Sequence, residues 1–148
     1  TPGEPVRVLF EKQDITHIVR TEEMAKITSN LAAEPLIREF IKPCQREFMT
    51  APGLIADGRD MGTVIFHDAK HKIFLTASAK ERAKRRQTQL KRQGLEVNMP
   101  SLLQELAERD NKDIIRKHSP LIPAKDSVLI DTSNLNPEGV VKEIKTYL

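Results

Sequence analysis

Apolar and polar positions follow two rhythms along the chain. Val6 to Phe10 reads as a short strand, with Lys12-Gln13-Asp14 as the turn after it. Helical spacing then takes over. A helix is expected over Thr21 to Ala33, and Glu34-Pro35 opens another. Leu36, Ile37, Phe40, Ile41 and Cys44 fall on its apolar side, and Pro43 should kink or shorten it. After the turn at Pro52-Gly53, short apolar runs alternate with helices. The runs are Leu54-Ile55-Ala56, Lys72 to Thr76 and Ser127 to Ile130. Ser78 opens a helix, with Glu81 three residues on as a capping box, and Gly94 ends it. A further helix covers about Pro100 to Asp113. The last starts at Asn136-Pro137-Glu138 and carries Val140, Val141, Ile144 and Leu148 as its stripe. Short apolar strands alternating with helices predict a parallel α/β sheet covered on both faces.

Composition narrows the class. A chain of 148 residues makes one domain, or one with a small appendage, and can bury a core. Hydrophobic residues at 39% and charged residues at 30% describe a soluble globular protein, not a disordered one. Thr1 to Pro5 is a turn-rich entry, and an initial Thr1 instead of Met suggests a start inside a longer reading frame. No apolar run reaches the roughly 18 residues of a membrane span, and no signal peptide is visible. Cys44 is the sole cysteine, which excludes an intrachain disulfide and a thiolate metal cluster and fits the cytoplasm. It reads as a core residue of its helix. His17, His67, His71 and His118 read as surface residues without metal-ligand spacing. A net charge of +3 is too small to hold a nucleic-acid polymer by counterion release. Aromatic residues at 4% leave few stacking platforms for a basic nucleic-acid-binding module.

Three charged groupings could carry chemistry. Leu54-Ile55-Ala56 would deliver Asp57-Gly58-Arg59-Asp60 to the carboxyl edge of the sheet, where ligands bind in open α/β folds. Arg59 can hold a phosphate and Asp60 can accept from an amino group, or the pair is a surface ion pair in a turn. Arg82, Arg85 and Arg86 share one helix face at i, i+3, i+4. With only Ala79, Ala83 and Leu90 beside them, that helix looks poorly equipped to be core. It is either a lid that closes on phosphates or a solvated basic helix. Arg109, Asp113 and Arg116 continue the stripe of Leu102 and Leu106, provided the helix reaches Arg116. Two arginines around an aspartate suit a phosphate and a sugar, since guanidinium forks hold phosphate oxygens and a carboxylate takes hydroxyls. An ion-pair ladder emerging into solvent is the other reading.

These stretches together resemble the bacterial cytidylate kinases. Leu54-Ile-Ala-Asp-Gly-Arg-Asp-Met-Gly-Thr-Val-Ile-Phe is similar to that family's central motif. Lys72-Ile-Phe-Leu-Thr-Ala-Ser with the arginines after it resembles its strand and lid entry. Glu108-Arg-Asp-Asn-Lys-Asp-Ile-Ile-Arg followed by Pro120-Leu121 resembles its late substrate motif, and Val128-Leu-Ile-Asp-Thr-Ser its last strand. The resemblance covers nearly the whole chain in order and spacing. It implies a P-loop NTPase-like nucleoside monophosphate kinase fold with a parallel sheet, here without its first strands. Residues 1–50 would form the CMP-binding insert, and residues 51–148 the rest of the core with a lid helix at about 78–94. It implies transfer of the γ-phosphoryl group of ATP to CMP or dCMP, with Mg2+. By the same resemblance Ser29, Arg38 and Asp60 contact cytosine, and Arg109 and Asp113 bind the sugar. Arg59 and Arg116 surround the CMP phosphate, while Arg82, Arg85 and Arg86 stabilise the transferring group.

The chain departs from the family in one large respect. Members open with a strand and a glycine-rich phosphate loop ending in Gly-Lys-Gly-Thr or similar, which holds the ATP phosphates and helps place magnesium. Here Gly3 is isolated and no Gly-Lys-Ser/Thr occurs. A tyrosine-arginine motif that touches the CMP phosphate is absent too. Pro43 inside a helix and His118 before Pro120-Leu121 are smaller departures. The family's first strand is central to its sheet, so its loss would leave backbone groups unpaired. The expectation is a chain that derives from a longer protein, pairs with a separate N-terminal piece or with itself, or is rearranged. By itself it is expected to be inactive as a kinase. The alternative function is a non-catalytic CMP- or nucleotide-binding protein. The expected partners are CMP or dCMP and ATP, with no nucleic-acid polymer and no membrane.

Overall fold

A computed structural model describes residues 6–92, 94–117 and 119–148. The turn expected at Thr1 to Pro5 and the surface reading of His118 lie outside these residues. The chain divides into two compact units, one ending at Glu47 and the other beginning at Phe48.

The first unit opens with a hairpin of β1 (Leu9–Phe10) and β2 (Gln13–Asp14), paired antiparallel. The strand foreseen from Val6 is therefore shorter, and Gln13-Asp14 is its partner instead of part of the turn. Glu11 and Lys12 make the turn at φ 48° and 68°, the left-handed backbone that two-residue hairpin loops require. Asp14 then takes hydrogen bonds from the Thr16 amide and the Arg7 Nε, both at 2.9 Å. These bonds, Thr16 first, hold its carboxyl well below the usual range. A short helix α1 (Thr16–Val19) follows, then α2 (Glu22–Leu31) and α3 (Pro35–Glu47). Thr21 caps α2, its Oγ1 accepting from the Met24 amide at 3.2 Å. Pro43 does not shorten α3, which runs on to Glu47. None of α3 is buried, and Cys44, expected in a core, is exposed.

The second unit has mixed α/β architecture, as the alternation of strands and helices foretold. Strands β3 (Ile73–Thr76) and β4 (Val128–Asp131) pair in parallel, Ile73 beside Val128 through Thr76 beside Asp131. Leu54-Ile55-Ala56 is not a third strand. The segment is irregular, and Ile55 is 99% exposed. A strand exists only through a hydrogen-bonded neighbour, and among the described residues none lies beside it. After Asp60 comes a π-helical turn (Met61–Ile65) that the sequence pattern did not announce. It is closed by Phe66 N–H donating to the Met61 carbonyl at 2.7 Å. Gly58 permits it, because a Cβ there would lie 2.9 Å from Met61 Cγ.

Helix α4 (Ala79–Arg92) starts where Ser78 Oγ accepts from the Glu81 amide at 3.2 Å. It stops before Gly94, whose φ of +79° suits glycine. Helix α5 (Met99–Ile115) packs against α4. This corrects the view of α4 as poorly equipped to be core. Ala83 is wholly buried and Leu90 and Leu102 nearly so, because a small residue lets the two helices approach closely. Helix α6 (Pro137–Lys145) closes the unit, with Asn136 Oδ1 accepting from the Gly139 amide at 2.8 Å. Its Val140 and Ile144 are half-buried and Val141 is exposed; Leu148, expected on the same stripe, lies exposed beyond the end of the helix.

Candidate functional site

In the second unit, the buried stripe of α5 turns from apolar to charged. Leu102 and Leu106 lead to Asp110 and Asp113, and Asp113 is buried. The helix ends at Ile115, so Arg116 follows it in extended conformation (φ −63°, ψ 134°). Arg116 nonetheless folds back. Its Nη1 lies 3.9 Å from Asp113 Oδ1, and its Nε donates to the Ser119 carbonyl at 2.8 Å. The Leu121 amide donates to the Asp113 carbonyl at 2.8 Å, which draws the Pro120-Leu121 segment onto the end of α5.

Arg59 comes to the same carboxylate from the loop before the π turn. Its Nε is 2.6 Å from Asp113 Oδ2. The N–H is not aimed at that oxygen, so the contact is ionic and the buried Oδ2 has no hydrogen bond. Burial, and then the nearby Arg109, push the Arg59 pKa below its ordinary value; Asp113 pulls the other way. Arg109 itself is exposed. The adjoining Arg82 of α4 pairs with Asp110 of α5 at 2.5 Å, and its buried Nε is without a hydrogen bond. Four guanidinium groups (Arg59, Arg82, Arg109 and Arg116) thus gather around two carboxylates. The surplus of positive charge and the orphaned polar atoms suit an anionic ligand that also carries hydroxyl groups.

The other foreseen residues are placed differently. Asp60 is buried, and its carbonyl accepts from the Val64 and Ile65 amides at 2.9 and 3.2 Å. Arg85 leaves the face it shares in sequence with Arg82. It donates to Thr132 Oγ1 at 3.1 Å and to the carbonyls of Thr132 and Leu135 at 2.5 and 3.4 Å. With Leu135, Pro137 and Val140 it lines an open cavity of about 380 Å³. Arg86 donates to Gln89 Oε1 at 2.9 Å on its own helix. Ser29 and Arg38 belong to the first unit. Ser29 is exposed on α2, and Arg38 Nη1 donates to the Ala32 carbonyl at 3.1 Å.

Sequence reasoning missed Asp110, although it stands four residues after Leu106 on the buried stripe. It also missed Thr132 and Lys72. No signal in the sequence marks these two, because their partners are distant in the chain. Among the described residues, no group of three or more His, Cys, Asp or Glu is placed to hold a metal ion. No described helix is long and apolar enough to cross a membrane.

A family model described as cytidylate kinase matches residues 3–148. Curated relatives agree. A cytidylate kinase of Shewanella frigidimarina is 48% identical over the whole chain, which covers 65% of that protein. One from Shewanella sp. strain MR-4 is 48% identical over 98% of this chain and 63% of its own length. One from Shewanella baltica is 52% identical over 93% of this chain and 60% of its own length. The chain therefore spans under two thirds of the length of these relatives. The charged motifs lie inside the matched region, and the α/β architecture with a parallel strand pair agrees with a nucleoside monophosphate kinase fold. On these grounds, the chain belongs to the cytidylate kinase family.

Proposed function

We propose that this chain supplies the CMP side of an enzyme that transfers the γ-phosphoryl group of ATP to CMP or dCMP. The observation that carries the proposal is Asp113, buried with Oδ2 free of hydrogen bonds and flanked by Arg59 and Arg116. A carboxylate in that state accepts sugar hydroxyls, and the arginines beside it hold a phosphate. Arg109 and Asp113 take the sugar, and Arg59 and Arg116 take the phosphate of CMP. Asp60 reads cytosine. A carboxylate accepts from the exocyclic N4 amino group, whereas uracil would present a carbonyl to it.

The role of the residues in transfer is positioning and charge. Binding CMP by base, sugar and phosphate fixes the attacking oxygen, which lowers the entropic barrier. Arg82, Arg85 and Arg86 offset charge on the transferring group. For Arg85 this role requires release from Thr132 and Leu135. The 148 residues contain no Gly-Lys-Ser/Thr, and their carboxylates offer no metal cluster among the described residues. The corollary is that the 148-residue chain binds CMP without turning it over.

The test is a pair of measurements on chain of verified mass. Calorimetry should detect CMP binding, and incubation with CMP and Mg-ATP should yield no CDP at enzyme-like rates. Rapid CDP formation would overturn the corollary. Absence of CMP binding would overturn the site assignment. Phosphoryl transfer that appears once the upstream reading frame is restored separates the kinase reading from a CMP-binding protein without catalysis.

A further inference from the structure

We propose that Lys72 is a positioning residue for Asp60, acting through the π-helical turn that joins them. The Lys72 side chain is 8% exposed, unusual for lysine, and its ammonium has two partners. It donates to the His67 carbonyl at 2.6 Å and to Asp126 Oδ2 at 2.6 Å. Its alkyl stem covers Gly62, where an added Cβ would lie 3.5 Å from Lys72 Cδ. Asp60 stands immediately before this turn, and its carbonyl receives the Val64 and Ile65 amides. The turn is thus held at one end through Asp60 and at the other through Lys72. His67 is just past its last residues, and Gly62 is within it.

The neighbouring structure makes Lys72 a fixed post. Its own carbonyl accepts from the Val128 amide at 2.9 Å, at the start of the β3–β4 pairing. Asp126, two residues earlier in the chain than Val128, ties the ammonium to the same lead-in. A single five-residue π turn is a rare local structure with few hydrogen bonds of its own, so outside contacts weigh heavily in holding it. Without it, the direction in which Asp60 leaves the turn would vary, and a carboxylate that reads one base over another depends on direction. The hydrogen-bond partners of the Lys72 ammonium, His67 and Asp126, are not among the residues assigned to the ligand. The inference rests on the reading of Asp60 as the group that faces cytosine.

The test uses the 148-residue chain and two variants, Lys72→Met and Asp126→Ala. Amide exchange at Val64, Ile65 and Phe66 is followed by NMR, beside that of Thr132, whose amide donates to Thr76 in the strand pair. In Lys72→Met the first three amides should exchange about tenfold faster, the scale of one lost charge-assisted hydrogen bond, with Thr132 unchanged. The preference for CMP over UMP should fall towards that of Asp60→Ala. Asp126 is 65% exposed, so its truncation leaves folding intact and should give a smaller rise in the same three amides. Unchanged exchange at these amides in the foldable variants, or equal acceleration at Thr132, would overturn the proposal. If Asp60→Ala weakens CMP and UMP equally, the base-reading assignment fails, and the exchange rates still decide whether Lys72 holds the turn.

Discussion

Replacing Arg59 by methionine keeps a long apolar stem and removes one guanidinium from a crowded positive site. Two effects on the free protein oppose each other. The ion pair with Asp113 is lost, but the Arg59 side chain is 37% exposed, so solvent screening limits that loss to about 1 kcal/mol. Repulsion from Arg109 and Arg116 and the cost of partial burial are relieved at the same time, the effects that hold the Arg59 pKa low. Asp113 retains Arg116 at 3.9 Å. The net change in unfolding free energy should lie within roughly 1 kcal/mol of zero. Ligand binding should respond far more. One charge-assisted contact to phosphate is worth about 1.5–3 kcal/mol, or about ten- to hundredfold in Kd. Urea titration would measure the first quantity, and calorimetry with CMP and with cytidine the second. Cytidine has no phosphate, so its affinity should barely change. A stability loss well above about 2 kcal/mol, or equal losses for CMP and cytidine, would show that Arg59 is a structural ion-pair partner.

Three further outcomes follow from the same geometry. Asp60→Ala should weaken CMP more than UMP, and competition binding of the two nucleotides would show whether the losses are equal instead. Leu102 is nearly buried on α5, so Leu102→Ala should cost about 2–5 kcal/mol in urea unfolding; a loss near zero would mean the helix pair is not a packed core. The hydrogen bond from Lys72 lowers the Asp126 pKa below its ordinary 3.8. Its stabilising contribution is present above that ordinary value and disappears as pH falls through the lowered one. Melting temperature should therefore fall less steeply below about pH 4 in Asp126→Asn than in the parent chain, and parallel curves would refute the linkage.

Much of the local structure was legible before any coordinates. Thr21, Ser78 and Asn136 are read as helix starts or their neighbours because a cap bonds to an amide only two or three residues away. Gly94 is read as a stop because few other residues accept its backbone conformation. The arginines and aspartates of the central and late motifs could be named for the same reason: their spacing along one chain is itself the pattern. Where the reading failed, the deciding partner was far away. Leu54-Ile55-Ala56 has strand composition but no neighbouring strand here, and β-structure belongs to a pair of segments, not to one. Pro43 was expected to kink or shorten α3, and it does not shorten it, since the helix runs on to Glu47.

The chain's own order of residues determined its family, its helices and their caps, and the types of group at the site. Those depend on short-range bonds and on motif spacing, which a sequence contains in full. Only the tertiary structure decided which charges meet. It set Arg59 against Asp113 across more than fifty residues and Arg82 against Asp110. It drew Arg85 to Thr132 and buried Lys72 between His67 and Asp126. An ion pair or a buried ammonium depends on distance and solvent access, and both arise only when remote segments pack together.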